Sequence, residues 1–312
     1  MNISRVRSYP LAICVAATLL ASCAGAQPSV GTPPLQGGRA AASWLSPAAK
    51  SQNLLYVSDL GTNSVDVYPY PKGKLIGSLT GFGSVNGLCV DKAGDLFVVD
   101  ESGPVQVFAH GGTTPIRELQ TDGAPKGCSV DPVTGDLAVT NLSSYLYGTI
   151  SIYPKAKGQG KVYEDKDVDA TFFCGYDPSG NLFMDGWNRY GVTILLELPK
   201  HPREIRLIRQ YKSIKTPGGV QWDGKYVALG DQENGLIYRT DGPSGKTEQT
   251  VKLHGGENVE QFWIQGSTLI GPIAQSNGAV QFWRYPDGGS PTSSLQGFTY
   301  PIAAAVSLAP KR

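Results

Sequence analysis

The stretch GLCVDKAGDLFVVDESGPVQVFAH, from Gly87 to His110, contains the unit from which most of the chain is built. It holds three short runs rich in β-branched and aromatic residues, separated by polar turns that contain glycine. Apolar runs of this length between such turns predict antiparallel strands joined by hairpins. Helical periodicity is absent from this stretch and from the similar stretches that follow it. The sequence therefore predicts an all-β protein.

The second of these runs, LFVVDE, recurs along the chain at nearly constant spacing. Its copies are separated by 42, 41, 45, 44 and 43 residues, and they begin at Leu54, Leu96, Leu137, Leu182, Tyr226 and Leu269. Each copy is followed by two further strand-like runs, and a fourth run of the GLCVD type closes most units. Four strands per period of about 43 residues are typical of a propeller blade. We therefore predict a six-bladed β-propeller with four-stranded antiparallel blades.

The phase of the repeat also predicts how the ring closes. If the GLCVD-type strands are innermost, the first repeat begins at the second strand of blade 1, from Leu54 to Ser58. The missing innermost strand is then supplied by the C-terminus, where PIAAAVS (Pro301 to Ser307) has a suitable pattern. We expect this strand to join blade 1 and to leave no open edge between the first and last blades.

The N-terminal residues differ in composition from the repeats. Arg5 and Arg7 precede an apolar run of ten residues, Leu11 to Leu20, which has the length of a signal peptide core and is too short to span a bilayer. The run ends in LASC, a tetrad that resembles the lipobox of bacterial lipoproteins, in which the cysteine is lipidated. The resemblance implies lipid attachment at Cys23. The alternative is an ordinary secretory signal in which Cys23 has no special role.

These features divide the chain into three parts. We expect a lipoprotein signal peptide over residues 1–22, a flexible tether over 23–43 and the propeller over 44–312, since the tether is rich in Ala, Gly, Pro, Ser and Gln. Ala24, rather than an aspartate, follows the cysteine. By resemblance to enterobacterial sorting, this favours the outer membrane. The expected location is the cell envelope, on its periplasmic or surface side, with membrane contact through the lipid alone.

The repeats resemble those of NHL-type six-bladed propellers over about residues 54 to 308. In that family a P-x-G-[VIL]-x-[VL]-D segment precedes G-x-[IVL]-[YF]-V-x-D, as the GLCVD and LFVVDE units do here. Propellers of the gluconolactonase, regucalcin and TolB types are related in fold. The resemblance specifies the fold and leaves the function open, because propellers serve binding, scaffolding and catalysis alike.

Charge and histidine content restrict the function. Twenty-seven basic and 26 acidic residues nearly cancel, so nothing indicates a nucleic-acid partner. The three histidines show neither metal-ligand spacing nor a Ser-His-Asp arrangement. We therefore expect no resident cofactor and favour a protein that is not an enzyme.

Three cysteines lie in the predicted innermost strands of blades 2, 3 and 4. Measured from the aspartate that ends each strand, Cys89 has the opposite parity to Cys128 and Cys174. Since strand side chains alternate between faces, Cys89 and Cys128 either face each other or face apart. The preferred interpretation is three buried cysteines used as small apolar residues.

Acidic or amide side chains recur where the LFVVDE-type strands end: Asp59, Asp100, Asn141, Asp185 and Asp231. One active site does not need five copies, so recurrence favours a structural role. Such side chains accept hydrogen bonds from nearby backbone N–H groups in turns. We expect all five to stabilise turns.

Departures from the repeat are better candidates for function. The innermost strands begin at one mouth of the channel with unlike residues: Asn86, Lys126, Asp169, Gly218 and Glu260. At the same face, the loops after the second strands of blades 3 and 4 read LSSYLYG and GWNRYG and supply Tyr145, Tyr147, Trp187, Asn188, Arg189 and Tyr190. Tyr, Trp and Arg on loops of a rigid scaffold are typical of recognition surfaces. These residues form the candidate partner-binding patch, unless the rings merely cover the blade ends.

Two functional hypotheses follow. The first is a non-catalytic, membrane-anchored recognition module for an unidentified protein or glycan. The second is a metal-dependent lactonase or esterase, implied by the resemblance to the gluconolactonase and regucalcin propellers, which hold a divalent cation through oxygen ligands. Asn86, Asp169 and Glu260 would be its ligands. Lys126 would place a positive charge among them, so the first hypothesis is preferred.

Overall fold

The structure is a computed structural model that describes residues 42–144, 147–201, 203–210 and 212–310. These residues form six antiparallel sheets arranged in a ring, so the predicted six-bladed β-propeller is confirmed. Five sheets have four strands, and the sheet of blade 1 has five. Among the described residues, no helix has the length and apolar character needed to cross a membrane.

The strands of each blade are given from the channel outward. Blade 1 consists of β25 (Pro301–Ser307), β2 (Leu54–Asp59), β3 (Ser64–Pro69), β4 (Gly77–Leu79) and β1 (Trp44–Leu45). Blade 2 consists of β5 (Val85–Val90), β6 (Leu96–Asp100), β7 (Val105–Phe108) and β8 (Pro115–Leu119). Blade 3 consists of β9 (Pro125–Val130), β10 (Leu137–Ser144), β11 (Tyr147–Tyr153) and β12 (Lys161–Glu164).

The second half of the ring follows the same order. Blade 4 consists of β13 (Val168–Tyr176), β14 (Leu182–Asn188), β15 (Thr193–Leu198) and β16 (Arg206–Ile208). Blade 5 consists of β17 (Pro217–Trp222), β18 (Val227–Asp231), β19 (Leu236–Thr240) and β20 (Thr247–Lys252). Blade 6 consists of β21 (Trp263–Gln265), β22 (Thr268–Pro272), β23 (Val280–Arg284) and β24 (Gly288–Leu295). Two short 3₁₀ helices are present at Pro47–Ser51 and Pro154–Ala156.

Ring closure occurs in blade 1, as predicted from the phase of the repeat. Strand β25 pairs antiparallel with β2, with Leu54 opposite Ser307 and Ser58 opposite Ala303. Every residue of both strands is buried. The C-terminal strand therefore supplies the innermost strand of the first blade.

Strand β1 was not predicted. Trp44 and Leu45 pair antiparallel with Ser78 and Gly77, so the N-terminal segment adds a fifth strand to the outer edge of blade 1. A glycine is needed at position 77, because a Cβ there would lie 2.6 Å from the Trp44 carbonyl oxygen.

The hydrophobic core lies between the blades. Alternate side chains of each strand face the blade on either side, and the buried apolar residues form six clusters, one for each pair of neighbouring blades. Between blades 1 and 2, for example, Tyr56 and Leu79 pack with Leu88 and Phe108. The blades thus form a rigid ring whose strand ends present loops on two faces.

The structure corrects the preferred interpretation of the cysteines. Cys89 and Cys128 form a disulfide between the innermost strands of blades 2 and 3, with 5.7 Å between their Cα atoms. The opposite parity of the two side chains makes them face each other across the interface between the blades. Cys174 remains a buried free thiol, as predicted, and burial raises its pKa.

Candidate binding surface

Three of the predicted channel-mouth residues form one polar network. The Lys126 Nζ atom lies 2.5 Å from Glu260 Oε1 and donates to Asn86 Oδ1 at 2.8 Å. The Asn86 amide in turn donates to Glu101 Oε2 at 3.0 Å. Both members of the ion pair are largely shielded from solvent. Two of the three expected metal ligands, Asn86 and Glu260, are therefore already engaged by an ammonium group.

The other two mouth residues lie outside this network. Asp169 is exposed, because the innermost strand of blade 4 is longer than its counterparts: Asp169 precedes the turn aspartate Asp177 by eight residues, whereas Lys126 precedes Asp131 by five. Phe172 occupies the equivalent place in blade 4. Gly218 is buried close to Gly230.

A side chain that the sequence did not single out, that of Gln261, connects two blades beside the channel. The Gln261 amide donates to the Leu88 carbonyl oxygen at 2.6 Å and accepts from the Leu88 N–H at 3.1 Å. Gly87 makes this approach possible, because a Cβ there would lie 2.8 Å from Gln261 Oε1. Blade 6 is thus joined directly to blade 2 across the innermost strand of blade 1.

The acidic residues at the ends of the second strands have more varied roles than expected. Asp59 and Asp100 accept from N–H groups in their own turns, at Gly61 and Ser102, so the predicted turn role is confirmed for them. They also accept from the first residues leading into the innermost strand of the same blade, at Tyr300 and Ser84. They therefore connect the two strands beside the mouth.

Asp231 and Asn141 are held by neighbouring side chains instead. Asp231 accepts from the Asn234 amide at 2.9 Å, and the Asn141 amide donates to Thr149 Oγ1 at 3.1 Å. At these two positions, the structure therefore shows hydrogen bonds between side chains of one blade in place of the expected hydrogen bonds to the backbone of the turn.

Asp185 does not belong with this set. It lies three residues after Leu182, whereas Asp100 lies four after the equivalent Leu96, so its side chain points to the opposite face of the sheet. It is fully buried and accepts from the Phe173 N–H at 2.8 Å, and burial raises its pKa well above the ordinary value. Its role is to hold the innermost strand of blade 4, so the predicted turn role is wrong for this residue.

A cavity of about 240 Å³ occupies the channel toward the opposite face. It lies between the innermost strands of blades 2 to 6, and the disulfide, Gln221, Trp222 and Trp263 are among its lining residues. None of the described residues that line it is charged. Both ends of the Gln221 amide are already bonded to the Ile264 backbone.

The predicted aromatic loops of blades 3 and 4 are partly strand. Strand β10 continues to Ser144 and β14 to Asn188, and Tyr147 is the first residue of β11. Tyr147 and Trp187 are half-buried, and the Trp187 ring packs edge-on against Phe172 at 4.7 Å between centroids. The Trp187 ring thus packs at the end of blade 4. Tyr145 lies outside the described residues.

Asn188, Arg189 and Tyr190 do come together, at the rim of blade 4. Asn188 Oδ1 accepts from the N–H groups of Tyr190 and Val192, both at 3.0 Å, which fixes a tight turn. Gly191 completes that turn at φ +70°. The turn presents Tyr190 to solvent with 75% of its surface exposed.

Arg189 is held only loosely. Its guanidinium lies 5.0 Å from the centre of the Tyr190 ring and 3.7 Å from Asp167 Oδ1, and both charged side chains are well exposed. Exposed pairs of this kind contribute about 0–1 kcal/mol, so Arg189 can exchange Asp167 for another partner at little cost.

Beside this turn lies a groove with an apolar floor. A cavity of about 290 Å³ is lined by Asn188, Tyr190, Ile194, Leu196 and Leu207, together with Arg189, Val168, Asp165 and Asp167. A second cavity of about 350 Å³ shares Ile194 and Leu207 with the first and extends past Thr193 toward Lys212. We call these two cavities the blade-4 groove.

The sequence did not reveal the floor of this groove. Its residues come from three segments, 165–168, 188–196 and 207–213, that only the fold brings together. One signal was available: in the outer strand RLI, two successive apolar residues cannot both face the core. Leu207 is the one that does not, and 69% of its surface is exposed.

In the described residues, no group of three or more His, Cys, Asp and Glu side chains is arranged to hold a metal ion.

Comparison with known proteins identifies only the fold. No family model matches the sequence, and no curated protein sequence matches it. A chain from the crystal structure of a nidogen/laminin complex is similar with a TM-score of 0.69 and 15% identity, covering 83% of this chain and all of that one. A Bacteroides caccae protein of unknown function is similar with a TM-score of 0.62 and 15% identity, covering 82% of this chain and 99% of that one. At this identity the likeness shows a shared propeller architecture.

Proposed function

We propose that this chain is an extracytoplasmic, lipid-anchored propeller of the NHL-like kind that acts as a non-catalytic recognition module for a protein or glycan. The observation that carries the proposal is the blade-4 groove, in which an exposed Tyr190 and a loosely held Arg189 stand over an apolar floor. Large amphipathic rings and arginine next to apolar pockets are the features of binding hot spots. This role requires no cofactor.

The proposed location is supported by two features of the chain. The LASC tetrad ending at Cys23 resembles a lipobox, which supports lipid attachment, and Ala24 after the cysteine favours the outer membrane. The Cys89–Cys128 disulfide is typical of proteins that fold in an oxidising compartment, such as the periplasm or the cell surface. Both agree with an exported protein held by an N-terminal lipid.

A structural neighbour gives further support to a protein, rather than a glycan, as the partner. One matching propeller comes from a complex of nidogen with laminin, so a ring of this architecture occurs in a protein assembly. The same scaffold here exposes three apolar side chains, Tyr190, Val192 and Leu207, at the rim of blade 4. A partner that covers this rim would remove that surface from water.

We do not propose the metal-dependent hydrolase. A cation bound between Asn86 and Glu260 would have to displace the Lys126 ammonium, which both side chains already contact. Asp169, the third expected ligand, is exposed and outside that network. The geometry of the mouth is that of an ion pair between Lys126 and Glu260.

Site-specific photo-crosslinking in the native organism tests the proposed function. A photoreactive amino acid replaces Tyr190 in one variant and Ile116 in the control, since Ile116 is an exposed apolar residue on the outer strand of blade 2. We expect position 190 to form a defined adduct with a protein or glycan and position 116 to form none. Absence of an adduct at 190, or the same adducts at both positions, would contradict the proposal.

A further inference from the structure

The molecule shows in blade 1 how the outer edge of a blade accepts another strand. Strand β1 lies outside β4 and pairs with it antiparallel through only two residues, Trp44 and Leu45. Ser43 extends this contact, because its hydroxyl accepts from the Thr80 N–H at 2.9 Å. A short extended segment thus docks on an outer strand through backbone pairing and one side-chain contact.

The outer edge of blade 4 offers the same kind of surface. Strand β16 is its last strand among the described residues, and the exposed Leu207 lies at its centre. The outer strands β20 and β24 expose charged, amide, hydroxyl and proline side chains, which protect edges against pairing. Strand β16 exposes the charged Arg206 and, next to it, the apolar Leu207.

Strand β15, next to this edge, is longer than its outer partner. Its residues run from Thr193 to Leu198, but β16 pairs only with the three from Leu195 to Glu197. Thr193 and Ile194 thus extend beyond the part of β15 that pairs with β16. The Thr193 side chain is 7% exposed, lines the groove, and its hydroxyl has no hydrogen-bond partner. A buried hydroxyl without a partner is unfavourable, so this position favours a ligand that supplies a hydrogen bond.

The two ends of the groove carry opposite charges. Asp165 and Asp167 lie at the end beneath the Tyr190 turn, and Lys212 lies at the other end. The two cavities between these ends share Ile194 and Leu207, so they are neighbouring positions along one path. An extended polypeptide matches this arrangement, because alternate side chains of a strand enter successive pockets while its backbone pairs with an edge.

We propose that the blade-4 groove binds an extended segment of a partner protein, added antiparallel to β16 as β1 is added to β4. Aliphatic side chains at alternate positions occupy the two cavities, a basic residue lies near Asp165 and an acidic residue lies near Lys212. This inference rests on the proposed recognition function and assigns the chemistry of the partner.

Selection from a display library of random dodecapeptides against the purified full chain tests the inference. We expect the selection to enrich peptides that carry aliphatic residues two positions apart. The Leu207→Asp variant should bind these peptides at least tenfold more weakly than the wild type does. The matched control Ile116→Asp, at another exposed apolar residue of an outer strand, should bind as the wild type does. N-methylation of the selected peptide at alternate backbone nitrogens should abolish binding, since it removes the donors that pair with the edge. Thermal unfolding of each variant verifies folding, and Leu207→Ser replaces the aspartate variant if that variant is unfolded.

Each contrary result has a defined meaning. Failure to enrich any peptide, or peptides that bind Leu207→Asp as tightly as wild type, overturns the inference. A dimer of this chain that Leu207→Asp dissociates also overturns it, because the occupant is then a second copy. A glycan adduct at position 190 without peptide binding leaves the proposed function intact and refutes only the peptide chemistry.

Discussion

The amide of Gln261 gives the sharpest test of how blade 6 is joined to blade 2. Gln261→Leu keeps the volume of the side chain but leaves the N–H and C=O groups of Leu88 without this partner, at a place where Leu88 is completely buried. Each buried backbone group that loses its partner costs about 1–3 kcal/mol. The expected loss in the free energy of unfolding is therefore about 2–6 kcal/mol.

Urea unfolding followed by tryptophan fluorescence measures this loss directly. Since about 1 kcal/mol shifts the melting temperature of a domain of this size by roughly 2–4 °C, a drop on the order of 10 °C should accompany it. Gln120→Leu is the matched control, because Gln120 is exposed, and it should change stability by about 0.5 kcal/mol or less. A loss below about 1 kcal/mol in Gln261→Leu, with the urea dependence unchanged, would refute the idea that this amide supports the ring.

Three further predictions concern the disulfide, a histidine and the anchor. Replacing Cys89 and Cys128 by serine should lower stability by about 4 kcal/mol, the chain-entropy value for a loop closed over a sequence separation of 39, whereas reductant should have no effect on the double variant. Burial lowers the pKa of His110 in the folded protein, so the stability that neutral His110 contributes is present above about pH 6.5 and is lost on acidification. The variant His110→Gln should therefore flatten this part of the curve of stability against pH. An unchanged curve would contradict the assignment. Cys23→Ser should release the protein from the membrane fraction, and retention without acyl mass on the wild-type N-terminal peptide would argue against lipidation.

The repeats could be identified in the sequence because a propeller imposes the same alternation of buried and exposed residues on the strands of every blade. The spacing of the LFVVDE-type units and the match of PIAAAVS to a missing strand were sufficient to predict both the number of blades and the closure by β25. Strand β1 could not be found in this way, because two residues establish no alternation and their place depends on the absence of a side chain at Gly77.

Predictions that depended on which face of the sheet a side chain occupies were partly wrong. Asp185 was grouped with Asp100 by its position near a strand end, yet a shift of one residue places it on the other face of the sheet and in the core. For Cys89 and Cys128, parity left two arrangements open, and the structure shows that the two side chains face each other across the interface between the blades.

The candidate site shows a third reason for limited predictability. The turn from Asn188 to Tyr190 is local and was identified from aromatic and arginine content, although Trp187 packs against Phe172 at the blade end. The groove combines the segment that connects blades 3 and 4 with the turn after β14 and the strands β15 and β16, so no contiguous motif encodes it. Gln261 is a similar case, since its partner Leu88 is 173 residues away.

The fifth strand of blade 1 has a consequence for how the molecule is oriented when it is held. The chain enters the ring at Trp44, on the outer rim of blade 1, and in a ring of six the fourth blade is diametrically opposite the first. If the chain is anchored ahead of residue 44, as proposed, its attachment reaches the ring at the rim of blade 1, and the blade-4 groove lies on the opposite side of the ring. A segment bound in the groove would then be separated from the attachment point by the width of the ring, so the support and the partner would not compete for the same rim.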